Sequence, residues 1–129
     1  MHFGYSIVYV PDVAAALDFY HRAFEFTIRF ASDEGTYGEL DTGDTTIAFA
    51  AHGMAEHLGL ELAFPRADAP GPGIELAFVT DDVAGAFARA VDAGATPVTD
   101  PTLVPWGQTV SYVRDLNGVV IEICTPVGG

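Results

Sequence analysis

Two acidic residues lie inside otherwise apolar strand patterns and are the first candidates for chemistry. Glu122 is the one polar residue of the run VVIEIC at positions 119–124, and Glu75 is the one polar residue of the run IELAFV at positions 74–79. A carboxylate among apolar neighbours costs several kcal/mol unless it gains a partner. The pattern therefore predicts that each acid faces a partner or a site.

Strand alternation places both acids on one side of their sheet. Successive side chains of a strand point to opposite faces. If Leu76 packs against a helix, Glu75 points away from that helix. The same rule separates Ile121 from Glu122. The sequence thus predicts two carboxylates on the sheet face opposite the helix.

The elements that must position these acids follow a repeated order. The first half reads strand, helix, strand, strand, strand, because alternating apolar segments are separated by turn-forming residues and Asp12 can cap a helix after Pro11. The predicted strands of this half are 3–10, 27–31, 37–40 and 45–50.

The same order returns in the second half of the chain. A predicted strand at 74–80 precedes a second helix, and the helix cap Asp12 matches Asp82 at an offset of 70 positions. Near the end of each half the offset is 74, so that Ala48 matches Glu122. Such an internal repeat predicts two copies of one supersecondary unit.

These segments resemble the vicinal oxygen chelate superfamily, which contains the glyoxalase I, bleomycin-resistance and extradiol dioxygenase families. The resemblance rests on IVYVPDVAAALDFYHRAF in the first half and on IELAFVTDDVAGAFARAVDAGA and PWGQTVSYVRDLNGVVIEICTP in the second. It implies an α+β fold in which two βαβββ modules form a curled mixed sheet, a cup, with the helices outside. It further implies one domain over residues 1–129, with module one at 1–52, a linker at 53–72 and module two at 73–129.

The resemblance also indicates which positions carry metal ligands in the metal enzymes of the superfamily, where each module provides one ligand from its first strand and one from its last. The corresponding residues here are Tyr5 and Ala48, then Glu75 and Glu122. Those two strands are neighbours in the family, about 4.8 Å apart, so the two acids are expected side by side. Two such carboxylates repel each other when both are ionised, which costs free energy. A metal, an organic ligand or a shared proton is therefore expected between them.

The donor set argues against a metal. Ala48 has no donor atom and a phenol such as Tyr5 is an uncommon ligand, whereas the family's metal enzymes have three or four ligands. Four histidines are interpreted as exposed or hydrogen-bonded side chains: His2, His21, His52 and His57. The exception would be His52, which could be a ligand if a shifted strand register turned its side chain toward the cup. We therefore expect no cofactor, with a divalent metal at Glu75 and Glu122 as the alternative.

Aromatic residues favour a small-molecule pocket. Tyr5 and Tyr9 share one face of the first strand, and Tyr112 and Trp106 lie on or before a strand of module two. Pockets are mostly apolar with a few placed polar groups, and aromatic walls beside carboxylates suit a flat or cationic molecule. For any one aromatic residue, ordinary core packing is the alternative. The predicted ligand-binding residues are Tyr5, Tyr9, Glu75, Trp106, Tyr112 and Glu122.

Composition excludes several classes of partner. Eighteen acidic residues oppose five basic ones, all arginines, for a net charge of −13. Such a surface repels phosphate backbones and anionic lipids, so nucleic-acid and membrane partners are not expected. No apolar run approaches the roughly 20 residues of a membrane span. The single cysteine, Cys124, suits a reducing compartment and has no assigned role, so we expect a cytoplasmic protein.

The preferred hypothesis is a metal-independent protein that binds a small organic molecule, cationic or aromatic, and sequesters an antibiotic. PWGQTVSYVRD resembles a segment of family members that bind antibiotics. The first alternative is a metal-dependent lyase or isomerase related to glyoxalase I, in which Glu75 and Glu122 are ligands and provide the catalytic base. The second is a binding or regulatory module without a small-molecule ligand. Because family members commonly pair, a homodimer is expected.

Overall fold

The structure is a computed structural model that describes residues 1–128. The elements in chain order are β1 (Tyr5–Val10), α1 (Val13–Phe24), β2 (Thr27–Ala31), β3 (Tyr37–Asp41), β4 (Thr46–Ala51), α2 (His52–His57), β5 (Glu75–Val79), α3 (Val83–Asp92), β6 (Thr96–Leu103), β7 (Thr109–Arg114) and β8 (Val120–Cys124). The chain divides into two compact units, Met1–Phe64 and the segment from Pro65 onward.

The first unit is a βαβββ module followed by the short helix α2. Its sheet has the strand order β1-β4-β3-β2, in which β1 and β4 are parallel and the other pairs are antiparallel. Helix α1 begins after Asp12, whose Oδ1 accepts a hydrogen bond from the Ala15 backbone N–H. Tyr20 of α1 packs on Phe49 of β4, with ring centroids 4.9 Å apart. The core of this unit therefore lies between α1 and one face of the sheet.

A glycine lets α1 approach the sheet of the first unit. A Cβ at Gly38 of β3 would stand 2.6 Å from Leu17 Cδ1 and 3.2 Å from Val13 Cγ1. Such distances are shorter than packed side chains accept, so only glycine fits here without displacement. Residues 38 and 40 thus face the helix, and residues 37 and 39 point to the other side.

The second unit repeats this arrangement. Its sheet has the order β5-β8-β7-β6, again with the first and last strands parallel. Asp82 caps α3 by accepting a hydrogen bond from the Gly85 N–H at 3.0 Å. Helix α3 packs on β6, β7 and β8, and Val113 and Ile121 are buried. We call the face of each sheet that lies opposite its helix the far face.

A tight turn joins β7 to β8, as the Asp-Leu-Asn-Gly sequence predicts. Asp115 Oδ1 accepts hydrogen bonds from the backbone N–H groups of Asn117 and Val119, both at 2.9 Å. Gly118 has a φ of 89°, which glycine adopts without steric cost. The turn fixes how β7 and β8 pair, and hence which β7 residue lies opposite Glu122.

Arg114 attaches part of the linker to this turn. Its guanidinium donates hydrogen bonds to the carbonyl oxygens of Gly118 at 3.0 Å, Arg66 at 3.1 Å and Ala69 at 2.6 Å. The segment around residues 66–69 has no helix or strand, so these bonds are what order it against the second unit.

The predicted α+β class and the two βαβββ modules are confirmed. Helix α2 was not predicted, because it begins at the boundary between the predicted first module and the predicted linker. None of the helices in residues 1–128 combines the length and apolar character needed to cross a membrane.

Candidate functional site

Glu75 and Glu122 lie on adjacent parallel strands of the second unit. Glu75 pairs with Val120, and Glu122 pairs with Ala77, so the two acids are offset by two residues on the far face. Their carboxyl groups are close enough for Glu122 to raise the pKa of Glu75. Ile121, which precedes Glu122 on β8, points to the opposite face of the sheet and is fully buried on the helix side. The two isolated acids of the sequence therefore meet.

The pKa of Glu75 is raised above its ordinary value of 4.5. Burial of the carboxyl contributes most, followed by the hydrogen bond to Glu122 and the charge of Glu122. These are the conditions under which two carboxyl groups share one proton. Glu75 therefore keeps its proton to a higher pH than an isolated glutamate does.

Tyr112 completes a cluster with the acids. It lies directly across from Glu122 on the neighbouring strand β7, and its O–H donates to Glu122 Oε1 at 3.2 Å. Burial and the nearby charges of Glu122 and Glu75 raise the pKa of its phenol. Tyr112 therefore stays a neutral donor across the physiological pH range.

Cys124 shares the far face of β8 with Glu122, two residues further along the strand. Its side chain is buried, with 3% of the residue exposed. Burial raises the pKa of the thiol, and the hydrogen bond and charge of Glu122 raise it further. A protonated, buried thiol is a poor nucleophile, which agrees with the absence of an assigned role for it in the sequence.

The remaining predicted binding residues occupy other places. Trp106 is in the turn between β6 and β7, where its indole N–H donates to Gln108 Oε1 at 2.8 Å. No hydrogen bond or ring contact in residues 1–128 joins it to the acid pair. Tyr5 and Tyr9 are on β1 of the first unit; Tyr5 is 57% exposed, and the Tyr9 ring lies 6.3 Å from that of Phe64.

A polar cluster on the far face of the first unit was missed in the sequence. Glu39 of β3 pairs with Ala48, the residue that matches Glu122 in the repeat. Its Oε2 accepts a hydrogen bond from the Tyr37 O–H at 2.7 Å, and its Oε1 accepts from Arg29 Nε at 3.3 Å. Arg29 also donates to Thr46 Oγ1.

This cluster puts a guanidinium beside a position where the resemblance implies a metal ligand. Burial and the hydrogen bond to Glu39 raise the pKa of Tyr37, so the phenol remains a donor. Glu39 shows the same sequence pattern that identified Glu122. In both cases a single acid lies between residues that face the core. The partners Arg29 and Thr46 had no such signal, because they come from different strands.

All four histidines belong to the first unit. His52 begins α2 and stacks on Phe64, with ring centroids 3.9 Å apart and planes within 6°. Its Nε2 is buried and has no hydrogen-bond partner among residues 1–128. His21 Nδ1 lies 2.8 Å from the Phe26 carbonyl oxygen. His2 and His57 are exposed.

The side chains of the acid pair do not fit a metal held by the protein alone. Within residues 1–128, no group of three or more His, Cys, Asp or Glu side chains is placed to hold an ion. Glu75 and Glu122 supply two carboxylates.

A family model, described as the Glyoxalase/Bleomycin resistance protein/Dioxygenase superfamily, matches residues 2–123. The chain belongs to this superfamily. Among curated proteins, none matches the chain. Membership in the superfamily agrees with the resemblance read from the two repeats, and it covers both modules.

Solved structures of superfamily members and of uncharacterised proteins share the fold. A glyoxalase-related enzyme from Fulvimarina pelagi is 19% identical with a TM-score of 0.83, over 98% of this chain and 88% of its own. A protein of unknown function from Agrobacterium tumefaciens str. C58 is 22% identical with a TM-score of 0.79, over 98% and 95%. TioX from Micromonospora sp. ML1 is 23% identical with a TM-score of 0.70, over 97% and 98%. At these identities the likeness establishes the superfamily fold and leaves the ligand open.

Proposed function

We propose that this superfamily member binds a small organic molecule, without a metal, through the acid pair of its second unit. One observation carries the proposal: Glu75 and Glu122 meet on the far face with Tyr112 beside them, and the pKa of Glu75 is raised. A cation or a hydrogen-bond donor from a ligand can replace the proton that the acids share. The ligand is therefore a compound with an ammonium, amidinium or similar donor group.

Apolar surface next to the acids supports an organic ligand over a simple ion. Ala77 and Val79 follow Glu75 at alternate positions of β5 and are exposed. A ligand that places its charged group on the acids can cover this strand with an apolar or aromatic body. Pockets commonly combine such surface with a few polar groups that fix orientation.

The biological role proposed is sequestration of a cationic or aromatic antibiotic in the cytoplasm. Binding without turnover suits a site with only two carboxylate donors among residues 1–128 and a buried, protonated thiol. The segment PWGQTVSYVRD, which includes Tyr112, resembles that of antibiotic-binding relatives. A cytoplasmic location agrees with a single free cysteine.

The test is calorimetric titration with a panel of cationic aromatic antibiotics in two buffers of different ionisation enthalpy. A compound that replaces the shared proton should release it, so the measured enthalpy should differ between the buffers. Glu75→Gln/Glu122→Gln should abolish both binding and proton release. The matched control is Asp33→Asn/Glu34→Gln, which removes two exposed charges from the β2–β3 loop. Equal affinity in the acid-pair and control variants would refute the proposal.

A metal-dependent lyase or isomerase is the second candidate. It is supported by the location of Glu75 and Glu122 at both positions of module two that carry ligands in the superfamily's metal enzymes. Turnover of a hemithioacetal that a chelator abolishes, with stoichiometric metal in the purified protein, would place it first. Retention of ligand binding in excess chelator would favour the metal-independent proposal.

A further inference from the structure

A cavity lies in the first unit, between α2 and the chain that follows it. Its volume is about 370 Å³, within the range of small-molecule pockets. It is lined by His52, Gly53, Glu56, Leu60, Glu61, Leu62 and Phe64. The site proposed above involves none of these residues.

One wall of this cavity is the segment from Leu60 to Phe64, and a turn fixes the start of that wall. After α2, the Leu60 N–H donates to the Ala55 carbonyl oxygen at 2.8 Å, and the Gly59 N–H donates to that of Glu56 at 3.0 Å. Gly59 has a φ of 72°, the left-handed conformation that ends many helices. The turn reverses the chain, so that Leu60 and the residues after it face α2.

The opposite end of the wall is held by an aromatic stack. Phe64 lies flat on His52, with ring centroids 3.9 Å apart, and also contacts Tyr9 of β1. Phe64 is thereby fixed between the start of α2 and the sheet. The wall is bound at both ends, which gives the cavity a shape before any ligand enters it.

The lining has a consistent chemistry. Leu60, Leu62 and Phe64 are apolar, and both leucines are exposed. Glu56 and Glu61 are exposed carboxylates, and no Lys or Arg lines the cavity. His52 also lines the cavity, and its Nε2 is buried without a hydrogen-bond partner among residues 1–128.

From these observations we infer that the cavity binds a small arylalkyl amine. The ammonium group lies between the carboxylates of Glu56 and Glu61, and the aromatic body covers Leu60 and Leu62. The negative charge of the lining and of the whole chain excludes carboxylates and phosphates from this position.

The test is a titration with 2-phenylethylamine followed by chemical shifts of the backbone amides. We expect saturable shifts confined to residues 52–64, and none with phenylacetate, which has a similar body and the opposite charge. Shifts confined to other segments, or equal binding of phenylacetate, would overturn the inference.

Two variants separate the roles of the residues. Glu56→Gln/Glu61→Gln should raise the dissociation constant about fivefold, the effect of two exposed ion pairs. Asp33→Asn/Glu34→Gln removes the same charge from a loop outside the cavity and should leave the affinity unchanged. Equal affinity in both variants would contradict the assignment.

The inference stands apart from the function proposed for the second unit. Glu75→Gln/Glu122→Gln should bind 2-phenylethylamine at residues 52–64 as the unaltered protein does. If that variant loses these shifts, the cavity is not an independent site. If antibiotic binding fails while these shifts remain, only the proposal for the acid pair is refuted.

Discussion

At the scale of single residues, the raised pKa of Glu75 explains how two acids are tolerated in adjacent strands. A proton on Glu75 removes the repulsion between the two carboxylates, and the Tyr112 O–H donates a hydrogen bond to Glu122.

Replacement of Glu75 by Gln should make stability at neutral pH higher. The folded-state pKa of Glu75 is raised above 4.5, so folding favours the protonated carboxyl. The contribution of this group to the free energy of unfolding is therefore complete below pH 4.5 and is lost as the pH rises through the raised pKa. The free energy of unfolding of the variant should equal that of the unaltered protein near pH 4. At pH 8 it should be higher by about 0.2–1 kcal/mol, the size of the effect of like charges on neighbouring strands. Urea unfolding at both pH values measures this.

The control for that experiment is Glu34→Gln, which removes one exposed charge from the β2–β3 loop. It should show no comparable change between pH 4 and pH 8. A Glu75→Gln variant less stable than the unaltered protein at pH 8 would show that the charged form of Glu75 is favoured, against the shared proton.

At the scale of elements, the close approach of α1 to β3 depends on Gly38. In Gly38→Ala the new methyl group meets Leu17, a buried core residue, so the helix or the side chain must shift. We expect a loss of about 1–3 kcal/mol in the free energy of unfolding, typical of an overpacked core. Denaturant unfolding measures the change.

Gly4→Ala is the matched substitution, since nothing lies within 4 Å of a Cβ at that position. It should change the free energy of unfolding by less than about 0.5 kcal/mol, as ordinary surface substitutions do. Equal effects at positions 4 and 38 would contradict the close helix–sheet contact.

At the scale of the whole molecule, the net charge of −13 opposes compactness. Salt screens repulsion between surface carboxylates, with a Debye length that falls from about 10 Å at 0.1 M to about 3 Å at 1 M. The melting temperature should therefore rise by several degrees from 20 mM to 500 mM sodium chloride, in a calorimetric scan. A fall over this range would show that attractive ion pairs dominate instead.

We also propose that the protein is a homodimer. Tyr5 and Ile7 of β1 and Phe30 of β2 are large apolar side chains that are exposed in the chain. Contiguous apolar surface marks interaction sites, and Tyr5 and Ile7 are neighbours on one face of β1. Sedimentation velocity should give twice the chain mass of 13.6 kDa at micromolar concentration, and a single monomeric species would refute the proposal.

The sequence by itself determined the superfamily fold and the sheet face of each acid. A strand's alternation and a helix's cap depend on neighbouring residues, so Glu75, Glu122 and Asp82 could be assigned from local pattern. The repeat of that pattern then predicted two similar modules. Helix α2 escaped prediction because six residues present too short a pattern to distinguish from a linker.

Only the tertiary structure decided which side chains meet. The register of β7 against β8 brings the Tyr112 O–H to Glu122, and the pairing of β2 with β3 joins Arg29 to Glu39. Contact between His52 and Phe64 depends on a chain reversal after α2. Such contacts join residues far apart in the chain, so their geometry follows from strand register and packing, which no local pattern specifies.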